Sequence, residues 1–135
     1  MANEIVTSPE LAKPVGYAHA VVSGPGRLVH LGGQTALDRG GEIVGADLPA
    51  QLDVAAANVL AALRAAGGAP TDIVSMQIFV TDVAQYRARL AELGAIWKRH
   101  FGHHYPATGL FGVTRLFDDE ALIELMGVAV IGAEQ

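Results

Sequence analysis

The segment Ala121-Leu122-Ile123-Glu124-Leu125-Met126-Gly127-Val128-Ala129-Val130-Ile131 is apolar at both odd and even positions, with Glu124 its one charged side chain. Alternate residues of a strand point to opposite faces of the sheet, so a strand of this composition needs cover on both sides. The chain has 135 residues, enough for one domain with a real core and too few for two of ordinary size. One domain spanning residues 1–135 is therefore expected. A carboxylate buried unpaired in so apolar a run is costly, so Glu124 must reach water, find a donor or hold a proton at neutral pH.

Composition excludes several classes. With 51% hydrophobic and 17% charged residues the chain is expected to fold and to be soluble. Its apolar runs are shorter than the roughly 18 to 20 residues a membrane span requires. Met1-Ala2-Asn3-Glu4-Ile5-Val6 shows no basic segment followed by an apolar one, so a cytoplasmic location is expected. Without cysteine there is no disulfide, thiolate zinc site or cysteine nucleophile. A net charge of -5 with nine scattered Lys and Arg residues offers no basic stripe for phosphates, so neither nucleic acid nor membrane is an expected partner.

Local patterns give an α+β order. Gly16 to Val22 and Arg27 to Gln34 are short and β-branched, and Ser23-Gly24-Pro25-Gly26 between them is turn chemistry, which predicts a β-hairpin. A helix is expected from an N-cap at Asp47, with Pro49 in its first turn, to Gly67. Leu52, Ala56, Val59, Leu60 and Leu63 form its apolar stripe, with Gln51, Asp53, Asn58 and Arg64 mostly off it. Ile73 to Thr81 reads as a strand. Asp82-Val83-Ala84-Gln85 has the form of a capping box, and Tyr86, Leu90, Leu93, Trp97 and Phe101 continue at helical spacing as a second helix. Gly109 to Phe117 and Ala121 to Ile131 are then strands joined by a solvated Asp118-Asp119-Glu120 turn. Two helices can cover one face of a sheet of five or six strands. The other face is left for another copy, which predicts a closed symmetric oligomer with sites between subunits.

Gly16-Tyr17-Ala18-His19-Ala20-Val21, Gly32-Gly33-Gln34, Asn58-Val59-Leu60, Phe79-Val80-Thr81-Asp82, Trp97 to Phe101, Pro106-Ala107-Thr108 and Ile123-Glu124-Leu125 occur in an order and spacing that resemble the Rid (RidA/YjgF) family of reactive intermediate deaminases. The resemblance runs from about Val15 to Ile131. It implies a chorismate-mutase-like fold, a mixed sheet with two helices on one face, and a homotrimer whose sheets form a barrel with small-molecule clefts between subunits. Members of the deaminase type hydrolyse enamines and imines of amino acids to ammonia and a 2-oxo acid, with neither metal nor organic cofactor.

Residue by residue, the resemblance makes Glu124 the carboxylate that activates water and Tyr17 the tyrosine that lines the cleft. Other family positions differ. The serine of the Ser-Gly-Gln motif is Gly32, followed by Gly33 and Gln34; the asparagine of the second helix is Gly94; the arginine of Pro-Ala-Arg is Thr108, followed by Gly109. Gly32, Gln34, Gly94, Thr108 and Gly109 are thus the expected substrate contacts. A guanidinium holds a carboxylate by two parallel charge-assisted bonds that a hydroxyl cannot reproduce, so 2-imino acids are expected to bind poorly. Arg115, seven positions from Thr108, would face the opposite side of a regular strand. A second reading keeps the fold as a non-catalytic trimer that binds a metabolite or a protein. Ribonuclease activity, a label attached to relatives, is disfavoured by the acidic charge.

Other residues carry plainer readings. His100, His103 and His104 straddle a helix end, where a C-terminal dipole interaction suffices without metal. His30 shares parity with Gly32 and Gln34, which would bring it near the cleft. Gly24-Pro25-Gly26 and Gly32-Gly33 lack the spacing and lysine of a phosphate loop.

Overall fold

The computed structural model describes residues 3–132. Asp47 caps the first helix, α1 (Leu48–Ala65), with Oδ1 accepting from the Ala50 N–H at 3.0 Å. The helix ends where Gly67 turns to φ +90, a region that favours glycine, and Gly68 N–H reaches back to Leu63 O at 2.9 Å. Its buried side carries the expected Leu52, Ala56, Val59 and Leu63. Gln51 is buried as well, against expectation. Its amide donates to Gly45 O and Glu120 O and accepts from Leu122 N–H, so a polar side chain on the core side closes three backbone gaps between α1 and the last strand.

The main sheet has four strands, β3 (Gly26–Gln34), β4 (Ile73–Val80), β5 (Ala107–Gly112) and β6 (Ile123–Gly132), in the order β3-β6-β4-β5. β6 runs antiparallel to both neighbours, and β4 and β5 are parallel. A parallel pair needs a crossover, supplied here by α2 (Val83–Ala88) and α3 (Leu90–Phe101). α1 and α3 pack on the same side of the sheet, and the core of Leu52, Val59, Leu63, Met76, Leu93 and Leu125 lies between. On the other side Leu28, Phe111 and Met126 remain exposed, so among the described residues no layer covers this part of the sheet face. No helix among the described residues is long and apolar enough to cross a membrane.

Four expectations need correction. The hairpin does not form: β2 (Ala20–Val22) pairs with β1 (Glu4–Val6) in a separate two-stranded sheet, while β3 pairs with β6. Gly26 already lies against Ile131 O, where a Cβ would overlap, so β3 joins β6 from its first residue. The main sheet consequently has four strands, not five or six. The second helix is broken at Arg89 (φ -122, ψ 28), whose guanidinium bridges Glu92 at 3.0 Å and Asp47 at 3.5 Å, tying the break to the α1 cap. Finally, β5 starts at Ala107 and stops at Gly112, so Arg115 sits in a loop beside Asp119, not on the strand.

Candidate functional site

A cavity of about 650 Å³ opens between α2, α3, the helix-facing side of β4 and β5, and the loop at Val15–Tyr17. Ala18 N–H donates to Pro106 O at 3.2 Å, which holds the Tyr17 loop against the start of β5. His19 secures the same loop: Nδ1 accepts from Ser8 N–H at 3.0 Å, so the proton is on Nε2, which donates to Ala12 O at 2.8 Å. Its ring meets Tyr17 edge-on at 6.0 Å. Thr108 pairs with Met76 and so faces the helices, and its Oγ1 donates to Pro106 O at 2.7 Å. Gly94, on α3, leaves open space over the helix. Burial pushes the Tyr86 phenol above its ordinary pKa, keeping it neutral.

Glu124 faces the opposite way. It pairs with Phe79, between the core residues Ile123 and Leu125, and therefore projects from the uncovered face, where Phe79 stacks on Phe111 at 5.6 Å. A bulge between Leu31 and Gln34 brings the Gly32-Gly33 backbone over it. A Cβ on Gly33 would overlap Glu124 Oε2 and lie 2.9 Å from its Cδ, so only glycine admits the carboxylate there. Among the described residues, no side chain forms an ion pair or hydrogen bond with it.

Within one chain the expected site residues thus fall into two groups. Tyr17, Gly94 and Thr108 line the cavity, whereas Glu124, beside the Gly32 bulge, and Gly109, under the Phe111 ring on the β5 edge, are on the uncovered face. Gln34 pairs with the core residue Leu125, and His30 pairs with Val128, so they occupy opposite faces. The bulge breaks the shared parity of His30 and Gln34 on which the expectation of His30 near the cleft rested. Tyr86, Trp97 and Tyr105 also line the cavity. Tyr86 and Trp97 read as core stripe in the sequence, and Tyr105 carried no signal beyond preceding Pro106.

The histidines do not converge. His100 Nε2 lies 2.6 Å from Asp53 Oδ1, and His104 Nε2 donates to Ile73 O at 2.7 Å. Together with Arg99 at 2.7 Å, His100 holds the Asp53 carboxyl below its usual range, clamping α1 to α3. No group of three or more ligand-type side chains is placed for a metal among the described residues.

Residues 7–131 match the family model described as endoribonuclease L-PSP. A solved protein of unknown function from Yersinia pestis, assigned to the conserved Rid family, shares 32% identity over 97% of this chain and 100% of its own, with a TM-score of 0.87. The chain belongs to the Rid family. A RutC family protein of Pyrococcus horikoshii is 29% identical over 93% of this chain and 96% of its own length. A relative in Dermatophagoides farinae named 2-iminobutanoate/2-iminopropanoate deaminase is 28% identical, covering 94% and 95%. The mixed sheet with helices on one face is thus the Rid fold.

Proposed function

We propose that the protein is a hydrolase of reactive imines, enamines or related C–N substrates, working through Glu124-activated water in a homotrimer. The reading is carried by the lone carboxylate held against a glycine bulge, without an ion-pair partner among the described residues. Glu124 takes a proton from water as the oxygen adds to the imine carbon, then returns it to nitrogen; collapse of the carbinolamine releases ammonia and a carbonyl product. General base and acid assistance of this kind is worth about 10² to 10⁴ in rate. Membership of the Rid family and the deaminase name of the mite relative support this activity class.

The uncovered apolar face supports a trimer, since other copies would bury Leu28, Phe111 and Met126. The same assembly would let the cavity at the β5 edge of one copy meet the Glu124 face of the next. Thr108 in place of an anchoring arginine shifts specificity away from 2-imino acids. Arg115 cannot substitute from its exposed loop.

The test is ammonia release from imines generated in place by an amino-acid oxidase and, separately, by an amine oxidase, with wild type and Glu124→Gln. Acceleration of carboxylate-free imines that the variant loses is the expected result. No acceleration of either class would favour the non-catalytic binding trimer, and RNA cleavage that persists in Glu124→Gln would mark a contaminant.

A further inference from the structure

The cavity is aromatic and uncharged. Tyr17, Tyr86, Trp97 and Tyr105 line it, and among the described residues no Lys, Arg, His, Asp or Glu does. Its volume of about 650 Å³ is that of a small-molecule pocket rather than a packing defect. Thr108 is the polar group at the β5 wall, and its hydroxyl proton is already given to Pro106 O. Toward a ligand Thr108 therefore offers lone pairs alone, which repel a carboxylate and accept an N–H or O–H. Arg89, next to the lining residue Leu90, is committed to Asp47 and Glu92, and Arg87, next to Tyr86, is exposed and does not line the cavity. At Gly94 a Cβ would meet nothing within 4 Å, so glycine is not required there by crowding; its effect is to leave the space over α3 open.

We infer that this cavity receives an aryl or similarly bulky apolar group of an uncharged substrate, which makes the substrate an aralkyl imine rather than a 2-imino acid. The assignment rests on the hydrolase reading for its chemistry, but the pocket itself is defined by the rings, the missing charge and the acceptor-only threonine. Stacking and edge contacts with four aromatic side chains favour a ring over a linear chain of equal size. An N–H on the group could donate to Thr108 Oγ1. The reaction that supplies such a substrate is the two-electron oxidation of a primary amine, not of an amino acid.

Trp97 is the chain's one tryptophan and lines the cavity, so its fluorescence reports occupancy without catalysis. Benzyl alcohol and benzoate, with the same ring, one neutral and one anionic, should be titrated against wild type and Gly94→Leu. The expected result is an emission change with benzyl alcohol, at least about tenfold weaker binding in Gly94→Leu, and benzoate binding weaker by about tenfold or more. Benzoate binding as tightly as the alcohol, or an unchanged affinity in Gly94→Leu with its helix content intact by circular dichroism, would overturn the assignment. The same preparations are then assayed for ammonia release from benzylamine-derived imine. Ring binding without turnover of any imine would remove the hydrolase reading and leave the pocket standing. Turnover of 2-imino acids with no Trp97 response to the neutral ring would do the reverse.

Discussion

Glu124 and Gly33 form a pair in which the backbone of one residue sets the position of the other. Glu124→Gln keeps shape and volume, so thermal unfolding should match wild type while ammonia release falls by about 10² or more, as loss of a general base requires. Gly33→Ala places a methyl where Oε2 now lies and should lower kcat/KM while helix content is kept; full activity in this variant would show that the carboxylate need not occupy that position. Glu124 was legible in the sequence because it is the one charge in an apolar strand. Its separation from Thr108 was not, because the two lie on different strands and only the register, Glu124 on Phe79 and Thr108 on Met76 of β4, puts them on opposite faces.

Secondary-structure elements are held by side chains that the apolar pattern classed as solvent-facing. Replacing Gln51 by Ala strands Gly45 O, Glu120 O and Leu122 N–H in a buried setting, and about 2 to 4 kcal/mol should be lost in urea unfolding. Asp53→Asn should cost less, under about 1 kcal/mol, because the clamp to His100 and Arg99 is partly exposed. The folded state lowers the Asp53 pKa, so its contribution is present above the ordinary carboxylate value and lost as pH falls through the lowered one. The stability gap between variant and wild type should therefore narrow below about pH 4. α1 was readable to within two residues because its cap, stripe and glycine stop are local signals. The partner of β2 was not, because Glu4–Val6 competes from 14 to 18 residues upstream with no local mark of the pairing. The break at Arg89 was hidden for a related reason: it is rewarded by an ion pair to Asp47 on another helix.

At the scale of the whole molecule, an apolar sheet face with nothing over it is the main unfinished business of the single chain. Met126→Lys puts a charge at its centre and should leave a folded monomer by sedimentation with ammonia release lost; a trimer of wild-type size would locate the subunit contact elsewhere. That one face would want a second layer followed from the apolar composition of β6, and the family resemblance carried the fold. The division of the candidate site into two halves emerged only from register. Because Glu124 and Thr108 point away from each other across one sheet, two inactive variants need not stay inactive together. A chain lacking the carboxylate and a chain with a blocked cavity, co-refolded, would form mixed assemblies in which some junctions unite two intact halves, and rescue of turnover by mixing would reveal the enzyme as a property of the contact between chains.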